Sequence, residues 1–551
     1  MTTRVVPPVP TIRRELHFGD RILPCYADRP ADLTALLRDS FARLPDAEAV
    51  IDGDRRITYA TLDEAADRLA GGLAAQGIVQ GDRVGLLLNN RAEFVIAWVA
   101  CIRLGVIAVP LNTREQKPEL AYVLGNCGAR AVIFEAELGA RLPDPDDVVC
   151  LDLKIVVGAA EGDIPDGATG WDAVADGPAL GGWAAVDEDD TAVILYTSGT
   201  TGKPKGAELS HLNIVHSCLH YVDHMQMPMD GRERSILAVP ATHVTGLVAV
   251  VALMIHVGGA TVMMRAFKAR DFLKLAEAER MTHGVMVPAM YNLCLLQPDF
   301  AGYDLSSWRI GGYGGAPMPM ATIRRLAEIL PGLNLVNAYG ATETTSPSTV
   351  MPLGEGAVHA DTVGRPVRCA EIRIMDEAGR EVAPGEAGEL WIRGPMVVKG
   401  YWVRPDATLE NFVSGFWRSG DIGSMDEQGY VKVFDRRKDM INRGGYKIFS
   451  AEVESELSFH PWVAESALVS RPCPVLGERT HCFVMLKDDG LALSEDEVAA
   501  ALKDFLSTRL SDYKVPDYFT FGADPLPRNA NGKLMKRDLR DRALVEAGDA
   551  A

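Results

Sequence analysis

Short runs of β-branched and aliphatic residues recur along most of the chain, and stretches with an apolar residue every three or four positions lie between them. RVGLLL (83–88), a helical pattern over 91–104, VIAVP (106–110), a second helical pattern over 117–126 and AVIFEA (131–136) follow in succession. Apolar runs this short fit strands buried on both faces. Their alternation with amphipathic helices predicts parallel sheets covered by helices on both sides. The stretch 236–264 holds no Asp, Glu, Lys or Arg, enough to span a bilayer were it one helix. Pro240, His243, His256, Gly258 and Gly259 interrupt it. It therefore reads as strand ILAVP, a loop, helix GLVAVVALMIHV, a turn and strand ATVMM within an α/β core, with no transmembrane segment. Pro-, Asp- and Gly-rich stretches at 143–147 and 161–190 read as surface excursions. Beyond 438 the order changes to a helix over 450–459, strands SALVSR (466–471) and HCFVML (481–486), and a helix over 494–509. The expected fold class is α/β: a large domain of parallel-sheet subdomains over 1–437, then a small α+β domain over 438–551.

Length agrees, since 551 residues are too many for one core. The formal charge of −19 argues against a nucleic-acid surface but leaves room for a locally positive nucleotide site. Nine scattered cysteines without C-x-x-C pairing fit free thiols in a reducing cytoplasm, and the start MTTRVVPPVP lacks the apolar core of a signal peptide. His216, His220 and His224 recur at helical spacing, as metal ligands do, yet only Asp223 adjoins them, so a metal is not expected there. G-x-S-x-G is absent, which speaks against a hydrolase elbow.

The most informative segment is YTSGTTGKPKG (196–206), which follows the apolar run TAVIL (191–195) and precedes a helical pattern starting near Leu209. Strand, Gly/Ser/Thr/Lys loop and helix form a phosphate cradle: glycines let backbone N–H groups approach, hydroxyls donate, lysines bring charge. A Walker loop is excluded, because Pro204 stands where its Mg²⁺-binding hydroxyl belongs. Downstream, NAYGATETT (337–345) offers a ring, a hydroxyl and the hard oxygen ligand of Glu343, which suits Mg²⁺ beside phosphates. GYGGAP (312–317) is another glycine-rich turn, and WRSGDIG (417–423) puts Asp421 beyond a Ser-Gly turn, where it could accept from a ribose diol. A basic, Gly-Gly-containing segment spans 433–454, and PRNANGKLMKRDLR (527–540) ends a turn-rich tip in Gly532 and Lys533.

In this order the motifs closely resemble those of the adenylate-forming superfamily, in particular its acyl- and aryl-CoA synthetases, over roughly residues 35 to 540. The resemblance implies ATP, Mg²⁺ and coenzyme A as co-substrates and a small-molecule carboxylic acid as partner, and it leaves a homodimer open. It implies phosphate contacts from Thr197, Ser198, Gly199, Thr200, Thr201, Gly202 and Lys205. Tyr339 would lie against adenine, amid Gly315, Ala316, Pro317, Asn337, Ala338 and Gly340, with Thr342 on phosphate. Glu343 and Thr200 would hold the metal, and Asp421 and Arg436 the ribose. Lys438 would be the hinge of a mobile C-terminal domain, Lys533 the catalytic lysine, and Gly444, Gly445 and Tyr446 the CoA contacts. His243 would sit at the floor of the carboxylate site, although Thr242 stands where the family usually has an aromatic. The acyl pocket would be lined by Thr245, Gly314, Thr345, Ser346 and Pro347. Amino-acid-activating relatives keep an Asp in the loop at 240–246, and none is present, so an acid without an α-amine is implied. A ligase that loads a carrier protein, or a non-catalytic nucleotide-binding relative, would share these motifs.

Overall fold

The computed structural model describes residues 10–197, 203–316, 318–444, 446–528 and 534–548. The chain divides into two compact units. The first comprises Met1–Met318, Thr322–Ile372 and Trp391–Arg418; the second comprises Pro319–Ala321, Arg373–Leu390 and Ser419–Ala551. Position 437/438 falls inside the second.

The first unit holds two large sheets. One has seven strands in the order Lys205–Ser210, Thr191–Thr197, Ile107–Pro110, Arg83–Leu87, Ala131–Glu135, Leu153–Val157, Thr169–Gly170. All its pairings are parallel except that of the first two strands. Arg83–Leu87, Ile107–Pro110 and Ala131–Glu135 are buried almost throughout, as uniformly apolar strands between helices must be. The second sheet has nine strands, with Asn334–Tyr339, Ile310–Tyr313, His283–Met286, Arg234–Leu237 and Ala260–Met263 adjacent and parallel at its centre. The uncharged stretch resolves into strand Arg234–Leu237, a buried helical segment from Val244 to Val257 with a π-turn at Leu247–Ala252, and strand Ala260–Met263. Among the described residues no helix is long and apolar enough to cross a membrane.

Two expectations change. The segment after the glycine-rich loop is not directly helical. Lys205–Ser210 is a strand that returns antiparallel along Thr191–Thr197, and the helix begins one residue later, at His211–Met225. Ala207 and Leu209 are buried by that pairing, and Ser210 caps the helix, with Asn213 completing a capping box. The stretch 161–190 is also more than a surface excursion. Its short helix Trp171–Ala175 buries Val174 against helix Tyr59–Ala75, so closely that a side chain at Gly72 would strike the Val174 carbonyl.

The second unit is built on a mixed sheet in the order Tyr446–Ile448, Ile441–Arg443, Gly477–Leu486, Val463–Cys473, with Tyr518–Gly522 parallel to the long central strand. Alternation decides which helices cover it. Leu468, Cys482 and Val484 face helices Ser450–Leu457 and Glu495–Ser507. Their neighbours Ala467, Val469 and Phe483 face Leu539 and Ala543 of helix Lys536–Gly548.

Candidate active site

The antiparallel hairpin that carries the glycine-rich loop is held rigidly on either side of its tip. Thr197 pairs with Lys205, and the Tyr196 hydroxyl donates to Asn126 Oδ1 at 2.6 Å. Lys203 Nζ lies 5.0 Å from the centre of the Tyr122 ring, and Lys205 Nζ lies 4.5 Å from that of Tyr401. Each lysine that flanks the tip therefore rests on an aromatic face, which attracts a cation while leaving its N–H donors available.

A second group of candidates gathers at the carboxyl ends of the parallel strands of the nine-stranded sheet, where open α/β sheets bind their ligands. His243 follows strand Arg234–Leu237. Its loop is pinned by Asn90, whose amide donates to the carbonyls of Leu237, Val239 and Met264 at 2.8–3.0 Å and whose oxygen accepts from Ala241 N at 2.8 Å. Burial, with Arg114 nearby, pushes the His243 imidazole down to about 4, so it is neutral near pH 7. Gly314 follows strand Ile310–Tyr313, and a Cβ there would come within 2.5 Å of the Ala338 carbonyl. Only glycine lets these two strand ends approach so closely.

Gly340–Pro347 folds back on the end of strand Asn334–Tyr339. Ala341 N donates to Thr344 Oγ1 at 2.9 Å, and Ser348 N to the Tyr339 carbonyl at 2.7 Å. Thr345 and Ser346 take left-handed backbone conformations, with φ of 48° and 41°. The Ser346 hydroxyl bonds Tyr221 at 2.8 Å, whereas Thr345 Oγ1 is buried with no partner among the described residues.

Glu343 stands in the 3₁₀ turn Thr342–Thr344. Its carbonyl accepts from Val398 N at 3.0 Å, and its Oε1 accepts from the Tyr401 hydroxyl at 2.9 Å. Among the described residues it has no ion-pair partner. A carboxylate without a resident cation, backed by a neutral donor, fits a hard divalent ion whose other ligands come from phosphates and water. Tyr401 thus meets both the Glu343 carboxylate and the Lys205 ammonium.

The remaining candidates belong to the second unit. Asp421 and Arg436 are directly opposed on strands Phe416–Met425 and Val431–Arg436. At Lys438 desolvation outweighs the pull of Asp439 and lowers the ammonium below the usual lysine range. Gly444 has φ of +61° and donates to the Leu476 carbonyl at 2.8 Å. The Tyr446 ring stacks on Tyr513 at 4.7 Å. Ser198, Gly199, Thr200, Thr201, Gly202, Pro317, Gly445 and Lys533 lie outside the described residues.

The histidine series is core. His216 Nε2 accepts from Tyr26 N and its Nδ1 faces the Leu212 carbonyl at 3.0 Å; His224 Nε2 accepts from Arg368 N at 2.9 Å. Burial pushes His216 down to about 3. Among the described residues Glu15, His17 and Glu188 have donor atoms close enough to hold a metal ion. Arg29 already lies 2.7 Å from Glu15 and 2.9 Å from Glu188, so a cation is in place. Asn90 and Tyr401 were not expected from the sequence. Each is a single polar or aromatic residue whose partners lie far away in the chain, and neither stands in a recognisable motif.

The family model of the AMP-binding enzyme matches residues 37–402, and that of the AMP-binding enzyme C-terminal domain matches 452–533. A feruloyl-CoA synthase from Amycolatopsis sp is 36% identical over 498 residues, covering 90% of this chain and 96% of that protein. A long-chain-fatty-acid–CoA ligase from Mycobacterium tuberculosis is 33% identical over 522 residues, covering 92% and 97%. Among solved structures, an anthranilate CoA ligase in complex with anthranoyl-AMP superposes with a TM-score of 0.85 at 25% identity, covering 94% of this chain and 98% of that one.

Proposed function

The chain belongs to the AMP-binding enzyme family, and from that premise we propose how it works as an AMP-forming acid–thiol ligase, an acyl- or aryl-CoA synthetase. Carboxylic acid, MgATP and CoA give acyl-CoA, AMP and pyrophosphate. First, a carboxylate oxygen attacks the α-phosphorus; the bond to the bridging oxygen breaks and pyrophosphate leaves. Next, the CoA sulfur attacks the acyl carbon of the adenylate, the bond to AMP breaks, and the thiol proton passes to solvent.

Positioning and charge stabilisation do the work, with no covalent enzyme nucleophile. Thr197, Ser198, Gly199, Thr200, Thr201, Gly202 and Lys205 take the phosphates, and Thr342 adds a hydroxyl. Tyr339 covers adenine, with Gly315, Ala316, Pro317, Asn337, Ala338 and Gly340 around it; Asp421 and Arg436 hold the ribose. Glu343 and Thr200 would hold Mg²⁺, which would offset the charge of the phosphates. Lys533 stabilises the crowded phosphorus and the leaving pyrophosphate. Rotation of the 438–551 domain about Lys438 then brings Gly444, Gly445 and Tyr446 to the pantetheine arm.

The observation that carries this reading is the Glu343 carboxylate, which has no ion-pair partner among the described residues and shares Tyr401 with Lys205 of the phosphate hairpin. The acid is a fatty, aromatic or alicyclic one without an α-amine. The loop 240–246 offers no carboxylate to an ammonium, and neutral His243 suits a carboxylate neighbour. Thr245, Gly314, Thr345, Ser346 and Pro347 are small enough for a bulky ring or a chain. The test is pyrophosphate release across a panel of such acids, with and without CoA. One class is expected to release pyrophosphate and to yield AMP and thioester when CoA is added. Silence with every acid would overturn the reading, and pyrophosphate release without CoA turnover would point to a carrier-protein acceptor.

A further inference from the structure

Glu343 sits on a turn of three residues, Thr342–Thr344. So short a turn fixes the backbone but not a carboxylate at the end of three rotatable bonds, whose freedom must be removed by something else. Among the described residues the side chain takes one hydrogen bond, from Tyr401 Oη to Oε1 at 2.9 Å, which leaves Oε2 for a ligand.

Tyr401 is itself firmly placed. Its backbone bridges to Ala207 of strand Lys205–Ser210. On either side, Glu208 N donates to the Gly400 carbonyl at 3.1 Å and Trp402 N to the Gly206 carbonyl at 2.8 Å. Tyr401 N donates to Thr408 Oγ1 at 3.0 Å, and the ring packs edge-on against Phe412 at 5.6 Å. The ring is 4% exposed, and burial, with Glu343 adjacent, drives the phenol well above its usual range, so the hydroxyl stays protonated and donates.

We propose that Tyr401 is a positioning residue for the first half-reaction: its hydroxyl sets the rotamer of Glu343, and its ring supports the ammonium of Lys205. One rigid side chain thereby fixes the spacing between the metal carboxylate and a phosphate-binding lysine. A group that orients a metal ligand from behind commonly changes metal affinity by roughly 10–100-fold when removed. The inference rests on the reading of Glu343 as the Mg²⁺ ligand.

The test compares Tyr401→Phe, Tyr401→Leu and Glu343→Gln with the wild type. Mn²⁺ binding is measured by electron paramagnetic resonance in the presence of an α,β-methylene ATP analogue, and metal-free affinity for that analogue by calorimetry. Tyr401→Phe removes one oxygen and keeps the ring. It is expected to weaken Mn²⁺ about tenfold, to leave metal-free nucleotide affinity and thermal unfolding near wild type, and to leave thioester formation from supplied acyl-AMP intact. Tyr401→Leu also removes the face beneath Lys205 and is expected to lose metal-free nucleotide affinity. If Glu343→Gln binds Mn²⁺ like the wild type, the metal reading of Glu343 fails. If Glu343→Gln is weakened while Tyr401→Phe is not, the positioning role fails. Equal nucleotide affinity in the two Tyr401 variants would overturn the support of Lys205.

Discussion

Asp421 and Arg436 face one another across an antiparallel strand pair, with Arg436 Nε 3.5 Å from Asp421 Oδ1. Asp421 is largely buried, while Arg436 stays partly exposed. Asp421 N donates to Ser419 Oγ at 3.0 Å, which ties the residue to the turn before it. A carboxylate held this way can accept from both hydroxyls of a ribose while Arg436 steadies its charge. Asp421→Ala is expected to weaken ATP binding by roughly 10–100-fold, the scale of hydrogen bonds to a charged acceptor. Titration calorimetry with ATP checks it, and unchanged affinity would take the ribose site away from this strand pair.

Lys533 gives the second prediction. Lys533→Ala is expected to slow adenylation by roughly 10²–10³-fold or more, the scale for losing a preorganised charge donor. Thioester formation from supplied acyl-AMP is expected to continue. Near-normal pyrophosphate release in the variant would remove Lys533 from the mechanism.

Much of the fold was legible because its central strands are buried on both faces, and such strands write themselves as unbroken apolar runs such as those at 83–88 and 131–136. Strand Lys205–Ser210 was not legible. KGAELS has no β-branched residue, and its extended state comes from pairing with Thr191–Thr197. The site motifs were readable where chemistry demands residue types in one short segment. Asn90 and Tyr401 escaped because each acts on chain that is distant in sequence: Tyr401 lies 58 residues from Glu343 and Asn90 lies 147 from Leu237. The left-handed backbone at Thr345 and Ser346 gave no signal either, since neither residue is glycine.

Lys536 carries a prediction about stability. Its ammonium lies 2.8 Å from Glu454 Oε1, and both side chains are mostly buried within the second unit. Removing one partner of such a pair leaves a charge stranded in the core. Lys536→Met is expected to destabilise that unit by about 3–5 kcal/mol. Lys536→Met combined with Glu454→Gln should recover part of the loss. Chemical denaturation of the variants checks this, and a near-neutral single substitution would show the pair to be solvated.

The buried histidines make acid sensitivity a property of the core. Burial, with Arg309 adjacent, pushes His283 down to about 3, and neither ring nitrogen has a hydrogen-bond partner among the described residues. A depressed value means that the unfolded chain takes up the proton first. The stability is therefore complete above pH 6.5 and is lost as pH falls from there toward 3. At pH 5 this one group costs at most about 2 kcal/mol relative to pH 7.5. His283→Met is expected to show a smaller fall in melting temperature between pH 7.5 and 5.0 than the wild type. Residual sensitivity should persist through His211 and His256, both held near 4 by burial. Scanning calorimetry at the two pH values decides it, and identical falls would sink the assignment.

Lys438 is the last and most demanding case. Asp439 N donates to the Arg436 carbonyl at 2.8 Å, and Arg540 reaches the Lys438 carbonyl at 3.2 Å. The proposed rotation between half-reactions would require large dihedral changes at very few residues, as hinges do. Proline fixes φ and disfavours the helical region for the residue before it, here Arg437. Lys438→Pro is therefore expected to hold the C-terminal domain in one orientation, forming acyl-adenylate but failing to pass the acyl group to CoA. Paired measurements on one preparation test it: pyrophosphate release from acid and MgATP, then CoA consumption from isolated acyl-AMP. Release near the wild-type rate with consumption cut by roughly 10²-fold or more would place the hinge at Lys438, by the factor that misplacing a reacting group costs. If the second rate matches wild type, the two half-reactions do not depend on rotation at this residue, even though the chain remains an AMP-binding enzyme.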